Sequence, residues 1–273
     1  MSNYPFSRIL LATEHTEFDA GAERLAIAMA KRYALPLRVV VPMLDNVEYE
    51  SEMPELVLRD ELEVADKIAA LRVQAEAAGV QLDVRVRRRP ELHKGIVAEA
   101  IESKADLLII RRRGKPSFLA RLLIGEMVSK VIQDAPCSVL LVPRAAELWN
   151  TRILAAVGDS PAAPGIAKIA GAIAGMSGLP LTVLSVAADE ESLSKTRSLN
   201  TLNVVLASGF APNVQGEIRI GKPVDETVAA VKEFAADLVV VGRQQHHRMS
   251  FGTHSTMQHI AGNMDVPILV VTI

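Results

Sequence analysis

Cysteine is almost missing from this sequence. Cys137 is the only one among 273 residues, which excludes an internal disulfide and suits a reducing compartment. Neither sign of charge is in excess. Lys and Arg number 30 against 32 Asp and Glu, so no overall field draws the chain to nucleic acid or to an anionic membrane. Aromatic residues make up only 4%. That leaves few platforms for base stacking, and nucleic acid is not an expected partner. No apolar run reaches the roughly 20 residues of a bilayer span, because Arg38, Arg111 and Arg144 bracket the apolar stretches. Met1 to Ser7 lacks the apolar core of a signal peptide. These absences predict a soluble, cytoplasmic protein with no membrane partner. Catalytic signatures are missing too: there is no Gly-x-Ser-x-Gly elbow, no Gly-x-x-x-x-Gly-Lys-Ser/Thr loop and no Ser-Gly-Gly-x-Asp-Ser loop.

What the chain does have is hydrophobic content, 49% of all residues, arranged twice in the same order. Arg8-Ile-Leu-Leu-Ala12 matches Arg152-Ile-Leu-Ala-Ala156, and Ala34-Leu-Pro-Leu37 matches Gly178-Leu-Pro-Leu181, both 144 residues apart. Ala105-Asp-Leu-Leu-Ile-Ile110 then matches Ala236-Asp-Leu-Val-Val-Val241 at a separation of 131 residues. The first copy is longer around Asp45 to Asp60. Each copy closes on a further apolar run, Ser138 to Val142 and Pro267 to Val271. The order predicts two tandem domains, 1–146 and 151–273.

Continuous Val, Ile and Leu runs alternating with helical segments are the pattern of strands buried on both faces of a parallel sheet. In the first helix Ala22, Leu25, Ala26 and Met29 share a face, behind a predicted capping box of Thr16 and Asp19. Its counterpart is predicted to start at Ser160-Pro161, with Pro in the first helical position. In the third helix of the second copy, Val224, Val228, Val231 and Ala235 are expected to form the apolar stripe. Each copy reads β-α-β-α-β-α-β-α-β, a doubly wound, Rossmann-like α/β domain. Its ligand crevice lies at the carboxyl ends of the strands, where strand order reverses.

The segment from Ala105 through Leu122-Leu-Ile-Gly125 to Ala135-Pro-Cys-Ser-Val-Leu-Leu-Val-Pro143 resembles the last third of universal stress protein (UspA-like) domains, and Ala236 to Ile273 repeats it more loosely. The resemblance implies a tandem universal stress protein with two five-stranded parallel sheets in order 3-2-1-4-5. It implies a stress-response binding and regulatory role rather than catalysis, with ATP hydrolysis at most weak. It also implies ATP as the ligand, with Mg, or another nucleotide or anion. The family's site uses an acid after strand 1 and a glycine-rich loop after strand 4, whose glycines admit the phosphates to a helix N-terminus. In the first copy the matching residues are Glu14, Val41, Arg111, Arg113, Gly114 and Gly125. Arg111 replaces the first loop glycine, and Glu126 stands where a Ser or Thr is usual. In the second copy they are Gly158, Asp159, Gly242, Arg243, Gln245, Gly252, Thr253 and His254, on a shortened loop. Both sites are degenerate. Because Thr253 can donate to a phosphate where Glu126 would repel it, the second copy is expected to be the better anion site.

His246, His247, His254 and His259 gather after strand 4 of the second copy. They offer the alternative of a metal-binding regulator, but their spacing is no recognised ligand pattern, and a polar loop with phosphate-contacting imidazoles is the expectation. A slow ATPase with Glu14 or Asp159 as base is the other alternative. Arg85, Arg87, Arg88 and Arg89 are expected at the end of strand 3 and in the loop beyond it, as solvated charges protecting a sheet edge. Cys137 is expected to be a buried small hydrophobe. The two domains are expected to pair through Val139 to Val142 and Ile268 to Val271, as the family's homodimer does, with a homodimer of the whole chain as a further partner.

Overall fold

The computed structural model describes residues 5–45, 54–112, 126–243 and 264–273. From Phe6 on, these divide into two compact units, residues 6–112 with 126–147 and residues 148–243 with 264–273. The first runs β1 (Ile9–Ala12), α1 (Ala20–Tyr33), β2 (Leu37–Leu44), α2 (Pro54–Ala77), β3 (Leu82–Arg89), α3 (Leu92–Glu102), β4 (Leu107–Arg111), α4 (Glu126–Asp134) and β5 (Ser138–Val142). The second runs β6 (Ile153–Ala156), α5 (Ala163–Ser177), β7 (Leu181–Ala187), α6 (Leu193–Ser208), β8 (Val214–Ile220), α7 (Pro223–Glu233), β9 (Leu238–Gly242) and β10 (Ile268–Val271). No helix of the described residues is long and apolar enough to cross a membrane.

Within each unit all strands run parallel, in the orders β3-β2-β1-β4-β5 and β8-β7-β6-β9-β10. The registers repeat as the sequence does: Ile9 lies opposite Leu37 and Leu107, and Ile153 opposite Leu181 and Leu238. The central strands are buried along their length because helices cover both faces, so apolar residues stand at consecutive positions. Cys137 is buried at the start of β5, as expected.

The repeated Ala-Asp pair has a specific task. The Asp106 carboxylate accepts hydrogen bonds from the backbone N–H groups of Ser7 and Arg8, at 2.8 and 2.9 Å, and from the Ser7 hydroxyl. Asp237 does the same for the N–H groups of Asn150, Thr151 and Arg152, at 2.7 to 3.0 Å. Each aspartate precedes the fourth strand of its unit and pins the entry of the first. It thereby fixes the two strands whose far ends form the crevice.

Helix α1 buries Ala22, Leu25, Ala26 and Met29 completely, which is the predicted face. Its start differs from prediction. Asp19 accepts from both the N–H and the hydroxyl of Thr16, at 2.9 and 2.6 Å, and makes no side-chain cap of its own, so only half of the expected box forms. In the second unit Ser160-Pro161 forms a turn and the helix begins at Ala163, so the proline in the first turn is Pro164. Ala235 does not extend the α7 stripe. It lies beyond the helix in the left-handed region, φ 49°, and is exposed, while Thr227 takes a buried place on that face.

The arginine cluster also departs from expectation. All four residues lie inside β3, and Arg87 turns inward to Glu99 of α3, whose side chain is 1% exposed, with Nε 2.6 Å from Oε2. Arg38 reaches the same carboxylate at 3.4 Å, and Arg88 pairs with Glu61. The hydrogen bond that Arg87 donates to Glu99, with the charges of Glu99 and Glu102, raises the Arg87 pKa above its ordinary value despite the opposing effect of burial. Of the four arginines, Arg87 alone is drawn inward by the buried Glu99, while Arg85 and Arg89 remain exposed charges on the edge strand, as expected.

Candidate functional site

The crevice of the first unit lies where β1 and β4 end side by side, with β2 and β5 flanking them. The chain leaves β1 through Thr13, Glu14 and His15, and leaves β4 through Arg111 and Arg112. Arg111 does not extend into solvent. Its Nη2 donates to Glu14 Oε2 at 2.7 Å, and its Nη1 donates to Asp19 Oδ2 at 3.0 Å and to Thr16 Oγ1 at 3.2 Å. The Arg111 side chain is 14% exposed and that of Asp19 2%. The fork geometry of guanidinium suits this bridging of two carboxylates.

A second, deeper layer braces the first. The Thr13 hydroxyl donates to Glu23 Oε1 at 2.5 Å, and His15 Nδ1 lies 3.0 Å from the same oxygen. The His15 N–H donates to Thr13 Oγ1 at 2.8 Å, which holds His15 at φ 49° as the chain turns off the strand. Asp19, Glu23 and Arg112 are all buried. Two carboxylates, Glu14 and Asp19, are therefore bridged by one guanidinium, and a third, Glu23, lies buried in the layer beneath them. Sequence reasoning missed Thr13, His15, Asp19 and Glu23. The available signal was an arginine in a glycine position with acids just after β1 to receive it.

Val41 is buried in β2 opposite Val86, one residue past the β2 position paired with the end of β1. Glu126, the first residue of α4, is 84% exposed and pairs with Lys130 at 3.0 Å. Arg113, Gly114 and Gly125 lie outside the described residues.

The second unit's crevice, at the ends of β6 and β9, is built differently. Gly158 occupies the place of Glu14, and among the described residues no atom beyond its chain neighbours lies within 4 Å of where its Cβ would stand. Asp159 follows, 59% exposed, and pairs with Lys195 of α6, which is 70% exposed. Gly242 closes β9 opposite Val271, and the Arg243 N–H donates to Val271 O at 2.8 Å, as the Arg112 N–H does to Val142 O at 2.9 Å. A Cβ on Gly242 would come within 2.4 Å of Ile166 Cδ1. A side chain at 242 would thus require the end of Ile166 of α5 to turn aside, and that end lies at the position from which Arg111 sets out in the first unit. There the position matching Ile166 is Ala22, fully buried. Gln245, Gly252, Thr253 and His254 lie outside the described residues, as do His246, His247 and His259. Among the described residues no group of three or more His, Cys, Asp or Glu is placed to hold a metal ion.

Comparison with known proteins agrees with this architecture. The Universal stress protein family model matches residues 5–143 and again 150–272. A universal stress protein of Thermus aquaticus, from the 3′ region of a QAH/OAS sulfhydrylase, is 31% identical over 138 residues, 50% of this chain and 98% of that protein. The crystal structure of a universal stress protein from Archaeoglobus fulgidus DSM 4304 matches 100% of this chain and 99% of its own, with 18% identity and a TM-score of 0.77. Another structure of that organism's universal stress protein, in complex with dAMP, matches 45% of this chain and 98% of its own, with 17% identity and a TM-score of 0.38. Two family matches in succession, over two units of the same strand order, place this chain in the universal stress protein family.

Proposed function

We propose that this protein is a ligand-responsive tandem universal stress protein in which the second repeat takes a nucleotide or another phosphorylated ligand and the first does not. The observation that carries the reading is the seat of Arg111. In the first repeat its guanidinium already lies between Glu14 and Asp19, so a ligand would have to displace it and then face buried carboxylates. In the second repeat no described side chain other than its chain neighbours stands over Gly158. Among the described residues the acid there is Asp159, exposed and paired with the exposed Lys195. An exposed pair of this kind costs about 0–1 kcal/mol to separate, against about 3–5 kcal/mol to break a buried one. Asp159 is then free to accept from ligand hydroxyls, and Lys195 to meet an anion. The engagement of Glu14 by Arg111 leaves Asp159 as the candidate base of an ATPase, and turnover of nucleotide by the pure protein separates that reading from binding and regulation.

The test is mass spectrometry of denatured, freshly purified protein for a co-purifying nucleotide, followed by calorimetric titration with ATP. Binding that survives Glu14→Gln but weakens about tenfold in Asp159→Asn supports the second repeat; one lost charge-assisted hydrogen bond corresponds to that factor or more. Loss of binding in Glu14→Gln alone would reverse the ranking.

A further inference from the structure

We propose that α2 of the first repeat is a self-association element, whose exposed apolar stripe pairs antiparallel with the same stripe of a second copy of this chain. The proposal stands apart from the ligand reading and rests on other residues.

The helix is longer than its place in the fold requires. α2 runs 24 residues, whereas its counterpart α6 runs 16, a difference of about two turns. None of residues 55–70 is buried, and Leu71 is the first after them that is. Roughly 24 Å of helix therefore reaches no core. A helix of that length is marginal in water without packing along an apolar face, and α2 has two such faces. Val57, Val64 and Ile68 are half-buried and lead to the buried Leu71 and Ala75. Glu61 on that side bonds to Arg88 of β3 at 2.6 Å, so this stripe is turned to the sheet edge. One residue on, about 100° around the helix, Leu58, Leu62, Ala65 and Ala69 recur at alternate steps of four and three. Leu58 is 58% exposed and Leu62 60%, and both alanines are exposed. That spacing is the seam of a helix pair.

The order of sizes along the seam selects its occupant. Two leucines followed by two alanines are complementary to the same stripe reversed. About a twofold axis between residues 63 and 64, Leu58 packs on Ala69 of the second copy, and Leu62 packs on Ala65 of the second copy. A parallel pair would set alanine on alanine and leave half of the seam underfilled. Charge agrees with the reversal. Arg59 and Asp66, both exposed, flank the seam on one side, and the antiparallel pairing brings Arg59 of each copy opposite Asp66 of the other. The parallel pairing would instead bring Glu61 beside Asp66, acid against acid. A contact of this isologous kind joins two chains and stops. With about four turns of helix on each side it falls at the small end of interface sizes, under roughly 1,200 Å² in total, so association should be reversible, with a dissociation constant on the order of tens of micromolar.

The experiment is sedimentation velocity of the full chain, from tenfold below to tenfold above that concentration. The mass should rise from one chain to two and go no further. Leu58→Gln combined with Leu62→Gln should stay monomeric throughout and, in dilute solution, melt with the parent, because neither side chain is buried. Asp66→Arg should weaken association about fivefold or more by setting arginine against arginine, and Arg59→Asp combined with Asp66→Arg should recover most of that loss. A parent that remains monomeric over the whole range overturns the proposal, and is the outcome if another segment of the same chain covers the stripe. Growth beyond two chains, a dimer of unchanged strength in the double glutamine variant, or no recovery in the charge exchange would each overturn it as well.

Discussion

Glu99 is the most consequential single side chain outside the crevices. Its carboxylate is buried against Arg87 and Arg38, and a buried charge stripped of its complement is costly. Glu99→Ala would leave Arg87 with the exposed Glu102 and Arg38 with Asp83, so the loss should be that of a charge-assisted hydrogen bond, about 1.5–3 kcal/mol. Removing Lys67, the half-buried partner of the exposed Glu63, should change stability far less. Urea unfolding of both variants checks the contrast. A second residue-scale expectation concerns Asp189, which accepts from the Ser192 N–H at 2.8 Å just before α6. That backbone bond, helped by the Ser192 side chain, holds the Asp189 carboxyl below its ordinary value. A depressed carboxyl contributes stability above the unfolded aspartate pKa and loses it as the pH falls through the folded one. Carboxyl NMR titration should therefore place the Asp189 midpoint below those of free aspartates. Because it removes the side-chain part of this interaction, Ser192→Ala should raise the midpoint.

At the scale of the element, both first helices end in the same way. Ala34 and Gly178 take left-handed backbone at φ 52° and 68°, and the next N–H in each case bonds back to Ala30 or Ala174 at 3.0 Å. Only glycine holds this conformation without a Cβ penalty. Ala34→Gly should therefore raise stability by about 1 kcal/mol and Gly178→Ala should lower it by a similar amount, read from denaturant midpoints at unchanged slope. The strands and helix faces were legible in the sequence because burial on both sides of a parallel sheet writes itself as continuous apolar runs, and Ala22 to Met29 repeat at helical spacing. The starts of α1 and α5 were not. Thr16 and Asp19 do form a pair, but the shared Asp19 oxygen also answers to Arg111, 92 residues away, and no local pattern records such a claim. The same holds for Arg87, whose partner Glu99 belongs to the next helix.

At the scale of the whole molecule, the sequence repeat announced two domains because register and spacing were copied together. Each unit has its own five-stranded sheet, its own core and its own aspartate pin at the entry of the first strand. Residues 1–147 and 148–273 should therefore each fold when expressed alone, with helix-rich circular dichroism and a cooperative melt. The pairing of their last strands, expected from the apolar edges alone, predicts that the separated halves associate on mixing, by sedimentation or light scattering. Halves that remain monomeric would count against it. The site was only half legible from this height. The departures from the family's glycines were visible, but their meaning depended on which side chains met across the crevice.

The reciprocal sizes at Ala22 with Arg111 and at Ile166 with Gly242 set an order on future change. A side chain at 242 must displace the end of Ile166, so Gly242→Arg alone should melt below Gly242→Arg combined with Ile166→Ala. The reverse walk is blocked less by space than by stranded charge, since losing Arg111 leaves its acids behind. Each repeat is thus held in its present state by a different kind of barrier, volume in one and electrostatics in the other. Two copies that began alike can drift at every surface position and still not interconvert by any single step at these four residues.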